Sequence, residues 1–209
     1  MPAWMPRAVA ALVALICWVA LGVRFAVTNA GTGDALATLW ILARFFTILT
    51  NLAVAVAMTM VALGKRPSDF VLGGLALAIL LVGIVYIVLL QQLYHLTGGA
   101  LFADILMHKV SPVAMALYWL AFAPHGRLRW KAPLWWGLYP IVYFAYALVR
   151  GAFDGLYPYP FMDVGKIGPG QTALNAAVIA AGFVVVGEAL VWLDRRLGAR
   201  AVNFAAHPE

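Results

Sequence analysis

Residues 36–63 read LATLWILARFFTILTNLAVAVAMTMVAL, twenty-eight positions with a single charged side chain, Arg44. About 20 apolar residues cross the ~30 Å hydrocarbon core of a bilayer as a helix, so this segment is long enough to span one. With five further windows of the same character, the candidate spans are about 8–27, 36–63, 70–96, 101–123, 133–152 and 172–194. Irregular backbone and open sheet edges cannot face lipid, and these windows are too long and too uniformly apolar for barrel strands. The expectation is an all-α polytopic membrane protein, one domain over 1–209 built as a bundle of six transmembrane helices.

Composition agrees: 65% apolar residues, 11% charged residues and a mean hydropathy of +0.94 exclude a water-soluble enzyme of this size. The breaks between spans carry turn residues: Gly31 and Gly33, the stretch 64–69, Gly98-Gly99, Pro124-His125-Gly126, and a longer Pro/Gly/Tyr-rich loop at 153–171. No linker is long enough to separate two domains. Arg7 followed by an apolar run resembles a secretory leader with Thr28-Asn29-Ala30 as a weak cleavage site. A run of ~20 residues favours retention as a span. The single Cys17 excludes an intramolecular disulfide and reads as a small core residue.

Cationic loops stay cytoplasmic, which orients the spans. With the N-terminus inside, Arg7, Lys65, Arg66, Arg127, Arg129, Lys131, Arg195, Arg196 and Arg200 are cytoplasmic, and Lys166 alone lies in an outer loop. Both termini are then expected in the cytoplasm of a cell-membrane protein. The formal charge of +6 is explained by this topology and by attraction to anionic lipid, without nucleic acid.

Polar and ionisable groups at membrane depth are costly and usually face a bundle interior or a functional site. Two spans carry them. ARFFTILTNLAVAV, residues 43–56, places Arg44, Thr47 and Asn51 at i, i+3 and i+7; LFADILMHKVSPVAMALYW, residues 101–119, places Asp104, His108 and Ser111 at i, i+4 and i+7. Each set shares one helix face, so two polar stripes can oppose each other. Counted along straight helices from the outer side, Thr47 lies roughly 16 Å deep and His108 roughly 10 Å. The outer ends of the remaining spans add Arg24, Gln91, Gln92, Tyr94, His95 and Arg150, and the loop at 153–171 adds Asp154, Tyr159 and Asp163. The reading is a cavity in the outer half of the bilayer, with Gln91, His95, Arg150, Tyr159 and Asp163 at its rim.

The chemistry follows from residue type. A hydroxyl needs an adjacent base to act as a nucleophile, and His108 titrates near working pH. Thr47 would attack, and Asp104, one turn before His108, would hold the second ring nitrogen as a triad carboxylate does. Arg44, Asn51 or Lys109 would stabilise an oxyanion, with Ser111 in support. Against this stand plainer roles: a membrane-helix Thr commonly bonds its own i−4 carbonyl, and Arg44 and Asp104 can neutralise each other.

The strings RFFTILTNL, LMHKVSPVAMALYWLAFAPHGRLRW and YPYPFMDVGKIGPG resemble the androgen-induced-gene and androgen-dependent-regulator family of transmembrane threonine hydrolases, over most of residues 40–195. The resemblance implies hydrolysis of fatty acid esters of hydroxy fatty acids by a Thr in the second span and a His in the fourth. By local pattern these correspond to Thr47 and His108. One extra residue before Asn51-Leu52 makes Thr50 a competing nucleophile, and the role of Asp104 is not one the family implies. Tyr159-Pro160-Phe161 is the family-like outer-loop feature. The substrate is expected to be a membrane lipid ester, with no cofactor and no metal.

The alternative is a non-catalytic lipid- or small-molecule-binding membrane protein, or a transporter, using the same polar cavity. Two further readings carry less: His95 and His108 as axial ligands of a haem, and Lys109 as a retinal Schiff base.

Overall fold

The computed structural model describes residues 2, 4–93 and 95–206, with side chains described through residue 199. Every regular element is helical, and among the described residues there is no strand. The chain divides into two compact units, residues 1–124 and 125–209.

In the first unit α1, Met5–Thr32, starts on Pro6, whose fixed φ suits a first helical turn, and stops at Gly33 in the left-handed region (φ 67°). Its buried face is Ala10, Val13, Ala14, Cys17 and Ala20, small residues that let neighbouring helices approach closely. Helix α2, Ala35–Leu42, is capped by Asp34, which accepts from the Ala37 N–H at 2.8 Å. The buried Thr38 hydroxyl locks the α1–α2 turn, 2.6 Å from Thr32 Oγ1 and 3.1 Å from Asn29 Oδ1.

Helix α3, Phe46–Ala62, leaves α2 at an angle of 100°. The expected continuous span 36–63 is therefore two helices meeting at residues 43–45. Neither Gly nor Pro marks the corner; Arg44 and Phe45 close it with short turns, their N–H groups donating to Ile41 O and Leu42 O. Helix α4, Asp69–Leu90, is capped by Ser68 and carries Asp69 in its first turn, where a negative charge favours the helix dipole. Helix α5, Gly98–Phe122, completes the unit. Around the ring α3 packs on α1 and α4, and α5 packs on α4 and α1. Val54, Met58, Leu77, Ile79 and Met115 fill the interior.

The second unit pairs α6, Ala132–Asp154, with α7, Val164–Ala206, through a short 3₁₀ turn at Pro160–Met162. The segment 153–171, expected as loop throughout, is helical from Val164, broken only by Gly168 (φ 77°) ahead of Pro169. At the unit's other end the fully buried Asp194 accepts from the N–H groups of Gly126 and Leu128, both at 3.0 Å, and lies 3.2 Å from His125 Nδ1. One carboxylate thus organises the turn 125–128.

Among the described residues five helices are long and apolar enough to cross a membrane, six if α2 and α3 together form one broken span.

Candidate functional site

Pro112 shapes the centre of the first unit. A proline has no N–H for the carbonyl four residues back, here His108, and its ring presses on that carbonyl. Immediately before it, α5 widens into one π turn, Leu106–Val110, and the Ser111 N–H reaches Leu106 O instead of Met107 O. Such π turns are frequent at functional sites. The released Met107 carbonyl is 3.1 Å from Ser111 Oγ and 3.4 Å from Asn51 Nδ2 of α3. The second Asn51 N–H donates to Thr47 O at 2.9 Å, and Asn51 Oδ1 accepts from Ser111 Oγ at 2.6 Å. Asn51, fully buried, therefore bolts α3 to α5 in one register. Both of its donor hydrogens are engaged in that brace.

This register sets Thr47 Oγ1 3.2 Å from His108 Nε2. The other ring nitrogen, Nδ1, is 3.0 Å from Asp104 Oδ1 and 3.0 Å from the Asp104 carbonyl. A carbonyl can only accept, so Nδ1 carries a hydrogen, and in the neutral imidazole Nε2 then presents its lone pair to the Thr47 hydroxyl. A Thr–His–Asp relay results, with Thr47 and Asp104 each under a tenth exposed. Both imidazole nitrogens face protein partners, which leaves neither for axial ligation of a haem.

A second π turn, Tyr86–Leu90 in α4, brings in a residue that sequence reading took for interior apolar helix. The Tyr86 hydroxyl donates to Asp104 Oδ2 at 2.5 Å, and its ring stacks on the His108 imidazole with centroids 4.1 Å apart and planes within 16°. Gly83, one turn earlier, permits this approach. A Cβ there would stand 3.2 Å from His108 O and 3.2 Å from Pro112 Cβ. The signal available in the sequence was the one hydroxyl in an otherwise apolar run, 70–90.

The remaining expected residues fall as follows. Thr50, three residues past Thr47, is fully buried, and the hydroxyl that meets His108 is that of Thr47. Arg44 is buried at the α2–α3 corner, outside α3, so it does not continue the face shared by Thr47 and Asn51. The depth counted along a straight 36–63 helix does not carry over to the bent pair. Lys109 is exposed, its Nζ 6.0 Å from the Tyr86 ring centroid. Arg24 of α1 adds a positive charge in the neighbourhood of Asp104. Gln91, Gln92 and His95 are exposed beyond α4, and Tyr94 lies outside the described residues. Arg150, Tyr159 and Asp163 belong to the second unit. Arg150 is buried, donates to Tyr146 Oη at 2.8 Å and lies 3.6 Å from Asp154; Tyr159 stacks on Phe161; Asp163 caps α7 through the Lys166 N–H.

Fold and site together define a protein that is all-helical among the described residues, with five or six membrane-length helices and a largely buried Thr–His–Asp cluster within the first unit. No protein-family model matches the chain, and comparison with curated proteins and with solved structures finds no match.

Proposed function

We propose that this protein is a multi-pass cell-membrane hydrolase of lipid esters, with Thr47 as nucleophile and His108 as general base. The observation that carries the reading is the 3.2 Å approach of Thr47 Oγ1 to Nε2 of an imidazole whose other nitrogen is held by Asp104. A nucleophile within hydrogen-bond reach of a base, and a base oriented by a third group, is the signature of activated hydroxyl chemistry. As Thr47 Oγ1 bonds to the ester carbonyl carbon, its proton passes to His108 Nε2. Asp104 stabilises the imidazolium, which returns the proton to the departing alkoxide. Water, deprotonated by the same nitrogen, then bonds to the acyl carbon, the acyl–Oγ1 bond breaks to release the acid, and the imidazolium returns its proton to Thr47 Oγ1. The resemblance to transmembrane threonine hydrolases supports the ester class, a fatty acid ester of a hydroxy fatty acid being the substrate it implies. In this reading both termini are cytoplasmic and the dyad sits in the outer half of the bilayer.

The test is labelling of the detergent-purified protein with a lipid-tailed fluorophosphonate, followed by peptide mapping. The expected adduct is on Thr47, absent in Thr47→Ala. Labelling of another hydroxyl, or none alongside no turnover of any long-chain ester, would overturn the reading. The second reading, a binding protein or transporter without turnover, is favoured by the broken α2–α3 pair and the interrupted α7, since discontinuous helices are common at transporter sites. An unlabelled protein that still binds a fluorescent fatty acid would turn the choice to it.

A further inference from the structure

The first unit contains a polar residue that the relay does not need for its proton path and that nonetheless touches two of its members. Tyr86 meets Asp104 through its hydroxyl and His108 through the face of its ring. The two contacts act in different ways. Asp104 has two carboxylate oxygens. Oδ1 serves His108 Nδ1, and Oδ2, on a carboxylate otherwise able to rotate, is held by the Tyr86 hydroxyl at 2.5 Å. Stacking at 4.1 Å and 16° blocks the imidazole from tipping out of the plane that points Nε2 at Thr47. The local backbone suits the purpose: both Tyr86 and His108 lie in π turns, and Gly83 lets α4 come close enough for ring contact.

We propose that Tyr86 is a positioning residue for the Thr47–His108 pair: its hydroxyl fixes the Asp104 carboxylate and its ring fixes the plane of the imidazole. The kinetic half of this proposal rests on the hydrolase reading; the orientation of His108 does not. Tyr86 hydrogen-bonds Asp104 and lies on the face of the imidazole, outside the Thr47 Oγ1–His108 Nε2 hydrogen bond itself, so its removal leaves nucleophile and base in place and loosens them. Hydrogen-bond partners that orient a metal-ligating histidine are worth about 10–100-fold in activity, and the same order is expected for a partner that orients a basic one.

The experiment has two arms on the full-length protein in detergent micelles. In the kinetic arm p-nitrophenyl octanoate is the probe. Tyr86→Phe, which keeps the ring and deletes the hydroxyl, is expected to lower kcat about tenfold with KM within about twofold, the pattern of lost orientation rather than lost binding. Tyr86→Leu, which deletes both contacts, is expected to lower it further. Because the hydroxyl works through Asp104, Tyr86→Phe combined with Asp104→Asn should be no slower than Asp104→Asn alone. In the spectroscopic arm, ¹⁵N-histidine spectra with the His108 signals identified by His108→Gln are expected to show a single Nδ1–H tautomer in the wild type and a mixture in Tyr86→Phe.

A kcat unchanged within twofold, a loss carried entirely by KM, or additive losses in the double variant would each overturn the proposal. If no ester is turned over by the wild type, the hydrolase reading fails and the spectra alone judge Tyr86. An unaltered tautomer in Tyr86→Phe, or a wild-type His108 that carries its hydrogen on Nε2, refutes it. The second of these outcomes refutes the proposal even where the variants do not fold.

Discussion

Gly83→Ala separates close packing from helix propensity at the point where α4 meets the candidate site. The added methyl would stand 3.2 Å from His108 O and Pro112 Cβ and 3.3 Å from Pro112 Cγ, whereas unstrained contacts between such atoms lie at about 3.5–4.0 Å. The neighbours are a backbone carbonyl and a proline ring, neither of which can swing aside, so α4 must retreat from α5 by a few tenths of an ångström. Overpacking of this kind costs about 1–3 kcal/mol. Opposing it, alanine is better than glycine inside a helix by about 0.8–1.0 kcal/mol. The net expectation is destabilisation of about 0–2 kcal/mol. Gly22 in α1 is the control: nothing lies within 4 Å of a Cβ built there, so Gly22→Ala receives the propensity gain alone, about 0.8–1.0 kcal/mol. Reversible unfolding of both variants in mixed micelles should place Gly83→Ala about 1–3 kcal/mol below Gly22→Ala. Equal stability of the two would refute the claim that α4 and α5 are in contact at the His108 carbonyl.

Three further outcomes are expected. Thr47→Ala and His108→Ala should each lower ester hydrolysis several hundred-fold, about 10² or more, with the double variant losing little beyond either, because a nucleophile and its base act as a unit; Thr47→Ser should retain partial activity, and steady-state kinetics on a long-chain ester checks all four. Asp194→Ala should destabilise the protein by about 1–3 kcal/mol, since it takes the acceptor from the buried Leu128 N–H, while the exposed Gly126 N–H can turn to water; a loss under about 1 kcal/mol in the unfolding assay, below the worth of one ordinary hydrogen bond, would contradict the turn's dependence on that carboxylate. Lys166→Ala should be neutral within about 1 kcal/mol, because its 3.1 Å pair with Asp163 is made by a side chain that is 82% exposed.

The amino-acid sequence alone determined the helical class, because membrane-length apolar runs and the turn residues between them are local properties of the chain. It also brought Thr47, Asn51, Asp104, His108 and Ser111 into consideration, since a polar group in an apolar helix is conspicuous wherever that helix later packs. The α2–α3 corner was beyond its reach. Residues 36–63 contain no Gly or Pro to mark the 100° bend, which leaves Arg44 outside α3 and off the face it would have shared with Thr47. The choice between Thr47 and Thr50 likewise belonged to tertiary structure: the two hydroxyls are three residues apart on α3, and the Asn51 brace to Met107 and Ser111 sets which one turns to His108. The role of Tyr86, the one hydroxyl in its apolar run, was beyond the sequence for the same reason. A tyrosine in a hydrophobic helix reads as bulk, and its hydroxyl acquires meaning only where packing across Gly83 sets it against Asp104 and His108. Hydropathy is written along the chain, whereas the relative register of two helices depends on contacts between residues far apart in it.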